Sequence, residues 1–170
     1  MPPNLDIYVL TRRRDSETID RFLDAYVDRA ANEDRRGGEL CMLALDAPAG
    51  AEDQLDPAEW VPVASLAEVI AHGLARPSRA FVCHLKPRVA PFNSAYLAFT
   101  RDDRLVLGLS MDDWDMLPER QAEAERVMNH LMSEFEGDGG LVAVEMPPPL
   151  SAASFAAARG PLITARAMVA

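Results

Sequence analysis

The sequence predicts an α+β fold: a single mixed, largely antiparallel sheet of about six strands with three main helices packed on one face. Three observations lead there. Apolar runs of five or six residues recur along the chain, too short for helices and right for strands. Three longer segments place apolar residues at helical spacing. Three of the short runs follow one another without an intervening helix, which is not the strict alternation of a parallel α/β sheet. At 170 residues the chain is the size of one domain, 1–170.

Asp6–Leu10 is apolar and β-branched and predicts the first strand. Asp15 or Ser16 then caps a helix. Its apolar residues, Ile19, Phe22, Leu23, Tyr26, Val27 and Ala30, fall three and four apart and make one stripe. Arg35-Arg36-Gly37-Gly38 predicts its end, with cations in the last turn and glycine beyond. Leu40–Leu45 predicts a strand buried on both faces. Residues 46–64 read as a long acidic loop holding Trp60, and a loop that long is usually functional. Ser65-Leu66-Ala67-Glu68 has the capping-box pattern. It opens a helix with Leu66, Val69, Ile70 and Leu74 inward, ended by Pro77.

Ala80–Lys86 alternates, with Phe81, Cys83 and Leu85 on one face and Val82, His84 and Lys86 on the other. Ala95–Thr100 and Leu105–Ser110 flank the polar loop Arg101–Arg104 and predict a hairpin. Met111–Asp115 reads as a turn, and Pro118–Glu136 as the third helix with proline in its first turn. Gly137-Asp138-Gly139-Gly140 is expected to break that helix before a strand at Leu141–Met146. Pro147-Pro148-Pro149 stops the pairing. Ser151 is expected to cap a short alanine-rich helix ending at Gly160, and 161–170 is an apolar tail whose Leu162–Val169 offers either one more strand or a contact surface.

With 49% hydrophobic and 26% charged residues, the composition excludes a disordered chain. No apolar run approaches about 18 residues, the length that spans a bilayer. The start, MPPNLDIYVLTRRR, lacks the pattern of a signal peptide, so a cytoplasmic location is expected. Cys41 and Cys83 both sit in apolar runs and read as buried thiols in a reducing compartment. The net charge is −10. Residues 39–64 hold six acidic and no basic residues, and residues 111–136 hold eight acidic against two basic. That balance argues against nucleic acid and anionic membranes and favours a basic partner. Sixteen of the seventeen basic residues are arginine, and with the abundant alanine this reflects a GC-rich coding sequence rather than guanidinium function.

No catalytic motif assembles locally. There is no G-x-S-x-G elbow at Ser110, and Cys83 and His84, adjacent on a strand, point to opposite faces. His72, His84 and His130 share no metal-ligand spacing, so no metal and no cofactor is expected. Asp112-Asp113-Trp114-Asp115 lacks the pattern of a calcium loop and suits a helix N-terminus, with Asp115 as a candidate cap. Arg12-Arg13-Arg14 reads as a solvated turn balanced by Asp15 and Glu17 rather than a phosphate cradle, which needs glycine. Asp20, Asp24 and Asp28 line one side of the first helix, partly offset by Arg21 and Arg29.

Trp60 and Trp114 each lie in an acidic block, and an indole beside charge is a frequent composition of protein-binding surfaces. The expected function is therefore a non-catalytic binding module, immunity- or adaptor-like, that recognises a basic protein partner. Its contact residues would be Asp53, Asp56, Glu59, Trp60, Asp112, Asp113, Trp114 and Asp115. Two alternatives accompany this. One is a small hydrolase or transferase using carboxylates with His84 or His130. The other is a homodimer joined through the C-terminal tail. In size and acidity the chain resembles small bacterial proteins that bind other proteins, although no motif carries the likeness.

Overall fold

A computed structural model describes residues 3–33, 41–45, 59–113, 117–159 and 163–167, with backbone alone at 41–45, 59–61, 163 and 167. The α+β class holds. The described strands are β1 (Asn4–Thr11), β2 (Cys41–Leu45), β3 (Glu59–Pro62), β4 (Ala80–Leu85), β5 (Phe92–Phe99), β6 (Leu105–Asp112), β7 (Gly137–Val144) and β8 (Ile163–Ala167). They form one sheet in the order β3-β2-β4-β5-β6-β1-β7-β8, and every described pairing is antiparallel. Six of these strands are the expected ones. The other two are short edge strands: β3, formed by the end of the expected acidic loop, and β8, which takes the strand option of the apolar tail.

The helices are α1 (Ser16–Tyr26), α2 (Arg29–Glu33), α3 (Leu66–Ala75), α4 (Pro118–Glu134) and α5 (Ala152–Ala157). None of the described helices is long and apolar enough to cross a membrane. Alternation along the strands makes the main core. Leu5, Ile7 and Val9 of β1, Leu105, Leu107 and Leu109 of β6, and Phe81 and Cys83 of β4 point one way. They meet Ile19, Phe22 and Leu23 of α1, Val69 of α3, and Met128 and Leu131 of α4 in a single cluster. Phe81 stacks on Phe99 with ring centroids 4.6 Å apart. Helices do not cover this face alone, because α5 lies on the other: Phe155 packs with Tyr8, Leu10, Val82, Ala98, Val106 and Leu141.

Several boundaries differ from expectation for identifiable reasons. The first helix stops at Tyr26, short of Arg35, because Val27 leaves helical geometry to bridge Pro87 and Asp28 N–H donates to Lys86 O at 3.0 Å. Asp28 then accepts from Ala31 N–H at 3.0 Å and starts α2, which holds Ala30. Arg35–Gly38 lie outside the described residues. Only half of the capping box at α3 forms: Ser65 Oγ accepts from Glu68 N–H, but the Glu68 carboxylate turns to Ala64 N–H at 2.5 Å. Met111 and Asp112 extend β6 rather than turning, paired with Leu5 and Asn4. The cap of α4 is Leu117, without a side-chain bond, and the Asp113 carboxylate accepts its N–H at 3.2 Å.

The glycines after α4 do not break the helix. It ends at Phe135, Glu136 takes a left-handed φ of 51°, and Gly137, Gly139 and Gly140 run within β7. A Cβ on Gly140 would stand 2.5 Å from Met132 Sδ and 2.6 Å from Met128 Cγ, so the missing side chain is what lets α4 lie close on the sheet.

Candidate functional site

The face of the sheet turned away from α1, α3 and α4 has a graded chemistry. Strand register places its residues in rows. The first row is Val82, Ala98, Val106, Leu10 and Gly139; the second is His84, Tyr96, Gly108, Tyr8 and Leu141. The third holds Ser94, Ser110, Asp6 and Ala143. The first row is apolar and buried under α5. The third is polar. Between them, Gly108 lets two rings approach: a Cβ there would sit 2.6 Å from the Tyr8 ring and 3.1 Å from that of Tyr96. The two tyrosine rings lie 5.8 Å apart, and His84 meets Tyr96 edge to face at 4.8 Å.

Asp6 is the unusual residue of this face. It sits on a central strand with 5% of its surface exposed. Its Oδ2 accepts from Met146 N–H at 2.9 Å, and the neighbouring Tyr8 hydroxyl donates to Met146 O at 2.6 Å. Two side chains of β1 thus hold both polar groups of one residue in the segment leading to α5. Burial lifts the Asp6 carboxyl from 3.8 to about 6, helped by the charge of Glu145 and only partly opposed by the Ser110 hydroxyl and Met146 N–H. Ser110 Oγ is fully buried and meets no partner at good hydrogen-bond geometry, yet lies close enough to favour the charged carboxylate. Burial, followed by the charge of Asp6, raises the Tyr8 and Tyr96 phenols. Desolvation lowers His84, whose ring packs against Tyr96 even though the residue as a whole is exposed. A carboxyl near 6 among hydroxyls is able to hold or give up a proton at ordinary pH.

The rim beyond the third row is accessible. His84, Asn93 and Glu145 are exposed, and Tyr96, Ser94 and Asp112 are half-buried. Asn93 Nδ2 donates to Asn4 Oδ1 at 3.0 Å and to Asp112 Oδ1 at 2.6 Å.

Of the contact residues expected from sequence, Asp112 lies at this rim and Asp113, 5% exposed, serves the N-terminus of α4. Glu59 and Trp60 belong to edge strand β3, not to a loop. Four strand spacings separate β3 from β6, about 19 Å, and the register puts Asp112 seven residues, about 23 Å, further along the strands than Glu59. The fold therefore sets these two pairs far apart, one on an edge strand and the other at the opposite end of an interior strand. Asp53, Asp56, Trp114 and Asp115 lie outside the described residues. Asp6 was not singled out from sequence, because Asp6–Leu10 reads simply as a strand. The available signal was its parity with Tyr8 and Leu10.

The other charged features are engaged within the chain. Asp20 and Asp24 both pair with Arg29 at 2.9 Å. Arg13 pairs with Asp15 and Glu17 as expected, and Arg12 with Asp138. Arg14 is not solvated: its side chain is 4% exposed, lies 5.0 Å over the Phe99 ring, and donates to the carbonyls of Gly73, Arg76 and Thr100. His130 lies on α4, in another layer from His84, and pairs with Glu134 at 3.4 Å. Glu134 also accepts from the Tyr26 hydroxyl at 2.9 Å. Cys83 is a buried thiol rather than half of a disulfide. Among the described residues no group of three or more His, Cys, Asp or Glu side chains is arranged to hold a metal ion. Comparison with protein-family models, curated proteins and solved structures finds no match.

Proposed function

We propose that this protein is a non-catalytic binding module that recognises a basic protein partner through the uncovered rim of the second sheet face. The observation supporting this reading is that central strands β4, β5 and β6 present His84, Tyr96, Ser94 and Asp112 together on the side that the large helices leave open. An aromatic side chain beside carboxylates suits a lysine- or arginine-rich surface, with the ring supplying contact area and the charges speeding encounter. Glu59 and Trp60 would form a separate contact area on edge strand β3. The test is capture from host lysate by the full chain and by a Tyr96→Ala/Asp112→Asn/Glu145→Gln variant, in low and high salt. A basic partner held by the wild type at low salt and lost by the variant is the expected result. Equal capture by both, or capture insensitive to salt, overturns the reading.

A second reading rests on Asp6, whose carboxyl near 6 shares a face with His84. There the chain is a hydrolase or transferase with Asp6 as general acid or base. It requires the Met146 segment to move, since Asp6 is nearly closed off. Turnover abolished by Asp6→Asn with folding retained would select it. Self-association now attaches to the outer edge of β8, the edge strand opposite β3. Sedimentation of the full chain, showing a monomer at all concentrations, would remove that option.

A further inference from the structure

We propose that the cavity between α5, β7 and β8 binds a small amphiphilic carboxylate, a molecule with an apolar body and one anionic head. The cavity has a volume of about 550 Å³. That is inside the range of small-molecule sites, roughly 300–1,000 Å³. It is distinct from the rim around Tyr96: α5 covers it, and its floor is the apolar first row of the face at Leu10 and Gly139.

The walls define the body of the ligand. Leu10, Phe155, Ala152, Ala156 and Ala165 contribute an aromatic ring and small aliphatic side chains, with no hydroxyl or amide side chain among the described lining residues. Such walls have nothing to exchange for the hydration of a sugar or a base, so they select an aliphatic or aromatic body. Phe155 closes one end, where a Cβ on Gly139 would stand 3.1 Å from its ring.

The charges define the head. Asp138 is the one carboxylate among the described lining residues, and it is already shared by the guanidiniums of Arg12 and Arg104. Arg159 also lines the cavity; it is exposed, and among the described residues its Nη1 donates only to the carbonyl of its neighbour Ala158, at 2.6 Å. Arg166 contributes to the wall, but its Nη1 is bound to Asn129 Oδ1 of α4 at 2.9 Å. With Asp138 neutralised from behind by Arg12 and Arg104, Arg159 is left as uncompensated positive charge in the lining, in a chain whose net charge is −10. A local excess of positive charge beside an apolar cavity fits a carboxylate head and rejects a cationic one.

Calorimetric titration of the full chain with octanoate and with octylammonium, which share a body and differ in the sign of the head, tests this. Saturable one-to-one binding of octanoate is expected, with octylammonium at least about tenfold weaker. Arg159→Gln, at an exposed position, should weaken octanoate severalfold without moving the unfolding temperature. Ala156→Phe, also exposed, should fill the cavity and abolish binding. No saturable octanoate binding, equal affinity for the two probes, or binding unchanged in both variants overturns the proposal. If Ala156→Phe fails to fold, the two probes and Arg159→Gln decide alone.

Discussion

The two faces of the sheet are made by the same strands from alternating residues, yet they are finished differently. Along β5, Ala95, Leu97 and Phe99 point toward the large helices and are fully buried. Ser94 and Tyr96, on the other side of the same strand, stay half-buried. The first face is uniform because three helices span it. Among the described residues the second is covered by α5, six residues long, and by the Met146–Leu150 segment leading to it, and its chemistry runs from valine and leucine through tyrosine to serine and aspartate. Stability is concentrated on the first face, and adaptable chemistry on the second.

The largest effect that would sharpen this contrast is at Phe99. Removing its ring takes away the stack on Phe81 and the surface under Arg14, so Phe99→Ala should cost about 3–5 kcal/mol in chemical denaturation. A cost below that of a second-face truncation such as Tyr96→Ala would break the comparison.

Next in size is the pH dependence from Asp6. Its carboxyl is raised from 3.8 to about 6, so the folded chain binds that proton more tightly than the unfolded chain. The resulting stabilisation is full below pH 3.8 and is lost as pH rises through 6, roughly 3 kcal/mol in all. Asp6→Asn should remove this component from the stability profile between about pH 4 and 7. His84, lowered by desolvation, works in the opposite sense, losing stability as pH falls, and the variant leaves that trend in place. An unchanged profile in Asp6→Asn would mean the face is wetter than its burial implies.

The smallest effect belongs to Tyr8→Phe. It deletes the hydroxyl bond to Met146 O and leaves that carbonyl near the surface, so about 1 kcal/mol should be lost. Hydrogen exchange of the α5 amides should quicken in this variant, since Met146 anchors the segment that carries the helix. Unchanged exchange there would show that Phe155 alone holds α5 down.

Much of the first face was legible in the sequence, because burial on one side imposes a period. The alternation in β4 and the stripe from Ile19 to Tyr26 both give the observed contacts. Ser151 was readable as a cap, and a reciprocal pair of bonds with Ser154 bears that out. What escaped was set by distant partners. Nothing near Val27 announces the bridge to Pro87 that divides the first helix. The β7 glycines look like helix breakers unless the methionines of α4 are known to press on them. Asp6 hides inside an apolar pentapeptide, and only the other strands of its face turn it into a buried carboxyl.

The position of β1 has a consequence for how the molecule is made. It lies in the middle of the sheet, with Leu5 paired to Met111 on one side and Val144 on the other. During synthesis this strand leaves the ribosome well before either partner exists. Its apolar edge must wait, solvated or shielded, until β6 and then β7 arrive to enclose it. Closure of such long intervals makes assembly slow, and the interval of waiting is when a chaperone would find its target.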